Sequence, residues 1–141
     1  MLRIPSEKWV HDERFDIEWQ TMRAVVSRVY SPDIDLENYL PADPSYAGGF
    51  IQLLVSPSGG DGEESFGLMV CTPTWAATWI QEHGPIVGRH WYFVLHWNTR
   101  VLLAELSRLV EAEEAPTWDE LAMRIGRIGH WEFEDYKLFV E

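Results

Sequence analysis

The sequence predicts an α+β fold: an antiparallel sheet of about four strands with helices packed mainly on one face, in the order β-β-β-α-β-α-α. Three observations carry this. Three early segments are apolar at period two, and a glycine-rich turn joins the second to the third. Three helix-start signals, Thr72-Pro73, Asn98 and Thr117-Trp-Asp-Glu120, divide the second half. Hydrophobic residues make up 46% of the 141, enough for a real core and short of any membrane-length run.

Taken in order, residues 1–21 mix both charge signs and form an N-terminal extension. Trp9, Phe15, Ile17 and Trp19 predict that it packs onto the domain, with a strand opening at Ile17–Gln20. Met22–Tyr30 alternates, with Met22, Ala24, Val26, Arg28 and Tyr30 on one face and Val25 and Val29 on the other. Asp33–Ser45 is a polar loop with one helical turn at Leu36–Leu40. The next strand lies in Tyr46–Val55, centred on Phe50–Val55. Pro57-Ser-Gly-Gly-Asp-Gly62 is a turn, because its glycines accept positive φ, and Phe66–Cys71 completes a hairpin.

Thr72 as cap and Pro73 at the first helical position start a helix that Gly84-Pro85 stops, with Trp75, Trp79 and Ile80 on one face. His90–Trp97 is the most apolar run and reads as a strand covered on both faces. Asn98 caps a helix with an apolar stripe from Val101 to Val110, which Ala115-Pro116 ends. The capping box at Thr117 and Glu120 opens the last helix, with Trp118, Leu121, Ala122, Ile125 and Ile128 inward. Gly126 and Gly129 close it before an aromatic–acidic tail, Trp131–Tyr136. In this tail Trp131, Phe133 and Tyr136 are expected to join Trp118 in stapling the last helix to the sheet. Most of the tryptophans and tyrosines recur at helix or strand spacing, so core packing is the expectation for them.

The formal net charge is −12 and its distribution is uneven. From Val29 to Gly88 stand eight acids (Asp33, Asp35, Glu37, Asp43, Asp61, Glu63, Glu64, Glu82) without one Lys or Arg. Such a stretch argues against nucleic acid or anionic lipid as partner and fits a basic one. One cysteine excludes an internal disulfide, and no signal-peptide or membrane pattern is seen, so a cytoplasmic location is expected.

Candidate chemistry is sparse. Asp33-x-Asp35-x-Glu37 begins like a calcium loop but has Asn38 where glycine is required and Pro44 where the bidentate Glu belongs. The Pro57–Ser65 turn lacks the Lys and Ser/Thr of a phosphate loop. His90 and His96 share a strand face without a third metal ligand, and His130-Trp-Glu132 lacks the paired cysteines of a zinc deaminase. Cys71, just before a helix N-terminus, is the one candidate nucleophile and is equally consistent with a buried structural cysteine. No cofactor or metal is expected.

Five short motifs occur in order: Ser31-Pro32-Asp33, Glu63-Glu-Ser-Phe66, Val70-Cys-Thr-Pro-Thr-Trp75, Gly88-Arg-His90 and Gly129-His-Trp-Glu-Phe-Glu-Asp-Tyr136. Together, from about Ser27 to Tyr136, they resemble the immunity-protein-8 family of bacterial polymorphic toxin systems. The sequence departs from the family pattern at Val55-Ser56, where a glycine is expected, and at Ala76, where a larger aliphatic is usual. The resemblance implies one immunity-type domain over 1–141, the first 21 residues lying outside it, that neutralises a cognate toxin by binding and without catalysis. An inhibitor of a nucleic-acid-cleaving toxin competes with a polyanion, so acidic loops are the expected contact: Asp33, Asp35 and Glu37; Asp61, Glu63 and Glu64; Glu132, Glu134 and Asp135. Two other readings stay open. One is a small cytosolic enzyme or ligand-binding domain using an apolar pocket, or Cys71 with His90 or His96. The other is an adaptor that forms a homodimer by sheet-edge augmentation.

Overall fold

The computed structural model describes residues 21–134. The expected packing of the N-terminal extension and its strand at Ile17–Gln20, and the tail from Asp135 on, lie outside the described residues. Among the described residues six strands and three helices follow one another: β1 (Met22–Tyr30), β2 (Gly48–Pro57), β3 (Glu64–Cys71), α1 (Pro73–His83), β4 (Trp91–Phe93), α2 (Thr99–Glu111), β5 (Glu114–Ala115), α3 (Trp118–Ile125) and β6 (His130–Trp131). They form a six-stranded sheet ordered β4-β3-β2-β1-β5, with β6 also paired to β3. The α+β class stands. The count rises from four strands to six because β5 and β6, two residues each, are too short to show a period.

The β2–β3 hairpin is the centre. Ile51, Leu53 and Val55 on β2 face the same side as Phe66, Leu68 and Val70 on β3, all 1% exposed or less. Against them pack Leu102, Leu106 and Val110 of α2 and Leu121, Ala122 and Ile125 of α3. Each such large side chain contributes about 1.5–3 kcal/mol on burial.

β1 corrects the predicted alternation. A register shift between Val26 and Arg28 inserts an extra residue, so Met22, Ala24, Val26 and then Val29 face the core while Arg28 and Tyr30 face out. The helical turn expected at Leu36–Leu40 is instead a single turn closed by Asn38 N–H donating to Asp35 O at 3.1 Å. Thr72 precedes α1 but does not cap it with its side chain. Its hydroxyl instead bonds Ala47 N and O, stitching the helix start to the beginning of β2. Asn98 and Thr117 do cap, accepting from Val101 N and Glu120 N.

The strand expected over His90–Trp97 is the largest correction. Only Trp91–Phe93 pairs, parallel to β3, and it lies at the edge, with Phe93 half exposed. The chain then leaves the sheet so that Trp97 is buried edge-on to Tyr39, its backbone N–H donating to Pro44 O at 2.7 Å. Its apolar residues serve two places rather than one central strand. Since β4 runs parallel beside β3, α1 is a crossover. Trp75 of α1 lies over Gly48, whose missing Cβ points away from the core, so α1 covers the face opposite α2 and α3. Helices therefore occupy both faces, two against one.

Gly48 is required by that close approach: a Cβ there would lie 2.3 Å from the Trp75 ring and 2.7 Å from Cys71 Cβ. Gly48→Ala should lower unfolding free energy by about 1–3 kcal/mol in urea titration. No measurable loss would show that Trp75 moves aside freely.

Candidate binding surfaces

The five motifs fold into two junctions at opposite ends of the sheet. At the start of β2, Ser31 Oγ donates to Phe50 O at 2.6 Å and accepts from Asp33 and Ile34 N–H. Asp33 Oδ2 accepts from Phe50 N–H at 2.8 Å, and the Thr72–Ala47 pair lies close by. Asp35 holds its own turn, accepting from Glu37 N–H and Asn38 Nδ2. Asp43 does the same for Ser45, and those two bonds hold its carboxyl below the usual range, with His96 adding a smaller effect.

The other three motifs meet at the opposite end, about 23 Å away along β2. Glu64 Oε1 accepts two indole N–H groups, from Trp118 at 2.9 Å and Trp131 at 2.8 Å. Ser65 N–H donates to Glu132 Oε1 at 2.7 Å, and β6 pairs with β3 through Phe66–Trp131. Arg89 pairs with Glu134 at 2.8 Å. His90, 10% exposed, donates from Nε2 to Gly126 O at 2.6 Å and lies 3.6 Å from Glu134. Its φ of 63° is the left-handed conformation that non-glycine residues seldom adopt. Glu63 accepts from Ser27 Oγ and pairs with Arg28 at 2.8 Å. The predicted stapling by Trp118 and Trp131 is thus present, with Glu64 as the group they share.

The nine acidic candidates separate accordingly. Asp33, Asp35, Glu63, Glu64, Glu132 and Glu134 all have intramolecular partners. Asp135 lies outside the described residues. The carboxylates of Glu37 and Asp61 alone among the described candidates make no hydrogen bond or ion pair. They stand at opposite ends, so an interface of about 800 Å² centred on one leaves the other outside it.

A cleft of about 690 Å³ opens beside the second junction, between Glu64, Asp119, Met123, Arg127, Trp131 and Phe133. Sequence reasoning missed it, since Arg89, Met123 and Arg127 converge only through the fold. It does not include Cys71. That thiol is fully buried and its pKa is pushed up to about 11 by desolvation, which counts against a nucleophile. His90 and His96 do not share a strand face: His90 lies in the turn before β4 and His96 beyond its end. Among the described residues no group of three His, Cys, Asp or Glu side chains could hold a metal.

Removing the Glu64 carboxylate leaves two indole N–H groups without their acceptor. Glu64→Ala should cost about 2–3 kcal/mol in urea unfolding, whereas Asp61→Asn should stay within about 0.5 kcal/mol. Equal effects would show the double acceptor to be unimportant. For Glu63, the bonds from Arg28 and Ser27 hold its pKa below the ordinary 4.5. Its contribution to stability is present above that value and is lost as pH falls through the lower folded-state one. Glu63→Gln should therefore flatten the fall of Tm below pH 4.5; an unchanged profile would contradict this.

Compared with known families, residues 24–136 match the family Immunity protein 8. No curated protein and no solved structure matches the chain. The match spans both junctions, from the second residue after β1 begins to the tail beyond Glu134, and most of the chain. On that extent, the chain belongs to the immunity protein 8 family.

Proposed function

We propose that this chain is an immunity protein of a polymorphic toxin system, which binds its cognate toxin in the cytoplasm and acts without catalysis. The toxin is basic and cleaves nucleic acid. Family membership supplies the toxin partner. The observation that supports an acidic contact is the run from Val29 to Gly88, with eight carboxylates and no Lys or Arg. A protein that competes with a polyanion for a cationic active-site surface needs that sign of charge.

The predicted acidic loops all add to the field that steers encounter. Among the acidic candidates, direct contact falls to Glu37 or Asp61, whichever end the toxin meets, since their carboxylates carry no structural bond that binding would break. Co-expression with the toxin encoded beside this gene tests the whole reading: protected cells and a co-purifying complex are expected, and failure of both would sink it. Within that reading, Glu37→Gln and Asp61→Asn should each leave the fold intact. The variant at the contacting end should slow association about threefold to tenfold at low salt, with a smaller difference at high salt. Unchanged rates in both would mean that these loops are merely solvated.

A further inference from the structure

Three tryptophans that the sequence places in the core are not there. Trp75, Trp79 and Trp91 neither join the buried cluster nor pack against it. They gather on the sheet face opposite α2 and α3, at the β4 edge. Strand register sets Trp91, Met69 and Phe50 in one cross-strand row, and Phe93, Cys71 and Gly48 in the next. Trp75 lies over Gly48 and Phe50 over Gly67, each ring seated where a Cβ would otherwise stand. Trp79 meets Trp91 edge-on at 5.3 Å, and Trp91 stacks with Phe93 at 6.2 Å. Phe93 is 51% exposed, and the three tryptophans are half-buried. Phe93 is the exposed tip of a ring cluster that lies outside the core, an arrangement that suits contact with a partner.

Charge decides among occupants. β2, β3 and α1, which build most of this face, lie within the stretch that has no Lys or Arg, and Arg28 at its far edge is held by Glu63. Glu82 lies on α1. The Asp43 turn reaches α1 where Thr74 Oγ1 donates to Ser45 O. Aromatic rings without cations cannot hold a nucleic acid backbone or an anionic lipid. They do suit guanidinium and ammonium groups, which are attracted to ring faces and to the net negative charge of this stretch. One ring already takes a planar nitrogen group: the His83 imidazole stacks on Trp79 at 3.9 Å.

We infer that this aromatic face, centred on Trp79, Trp91 and Phe93, is the anchor for arginine and lysine side chains of the toxin; the inference rests on the function proposed above. The probe is a catalytically inactivated toxin domain from the neighbouring gene, titrated against the full-length chain. Phe93→Ala should weaken binding by about 30-fold, through faster dissociation, with Tm nearly unchanged because the ring is exposed. Phe93→Leu should be nearly as weak, since it keeps apolar area but has no ring face, and Phe93→Trp should restore affinity. Oxidative footprinting should show Met69, Trp79 and Trp91 protected only once the toxin domain is added.

Binding by Phe93→Ala within twofold of wild type overturns the inference while leaving the immunity reading intact. Wild-type affinity in Phe93→Leu overturns the cationic occupant in favour of plain apolar contact. Protection already present in the free protein also overturns it, because the face is then covered by this chain or a second copy. A wild-type chain that binds no toxin removes both readings together.

Discussion

One half-buried carboxylate holds the far end of this molecule together. Glu64 begins β3, Trp118 begins α3 and Trp131 ends β6, and the two indole N–H groups converge on a single oxygen of Glu64. Both donors are neutral, so the anion is stabilised by oriented dipoles rather than by a countercharge. That choice fixes more than three residues. With Glu64 in place, Ser65 N–H meets Glu132, β6 lies along β3, and the chain arrives where Glu134 reaches Arg89 and His90. His90 then bonds the carbonyl of Gly126 at the end of α3, closing the loop of contacts back on itself. Sequence-distant segments are thus joined with polar bonds beside the buried Val55 and Phe66.

This has a consequence for how the acidic character of the chain should be understood. Net charge counts carboxylates, but a carboxylate committed to a backbone N–H or an indole cannot move to a partner without leaving a donor unsatisfied. Asp33, Asp35, Glu64 and Glu132 are of this kind. They shape the field without being free to make new bonds. A pairwise reading of acidic loops against a basic toxin therefore overcounts the contacts, while a field-level reading does not.

Much of the fold was legible because local signals were unambiguous. Asn98 and Thr117 cap as expected, the glycines of the Pro57–Gly62 turn take positive φ at Gly59 and Gly62, and β2 and β3 form the expected hairpin. The failures share one physical origin, which is tertiary context. The bulge in β1 exists only in relation to β2. Residues as apolar as Tyr92, Phe93 and Val94 do not reveal that they border an edge, and the order strand–helix–strand already favoured the parallel pairing that was passed over. Thr72 looks like a cap and is recruited by Ala47 instead. Of the candidate site, residue types and segments could be read, but which carboxylates were spoken for could not: Asp35 bonds within its own turn, whereas the partners of Asp33, Glu63, Glu64, Glu132 and Glu134 are 17 to 67 residues away.

In the proposed function, the aromatic face and the acidic loops are complementary parts of one recognition problem. A charge field acts over about a Debye length, roughly 8 Å at physiological ionic strength, and governs how often partners meet. It does little to keep them together, since exposed ion pairs are worth only about 0–1 kcal/mol. Residence requires desolvated contact, and large rigid rings lose little side-chain entropy when they make it. A toxin surface evolved to hold polyanions offers arginine and lysine, groups that a carboxylate attracts from a distance and a ring face retains at contact. In the proposed function the charge field and the ring faces divide these two tasks between them.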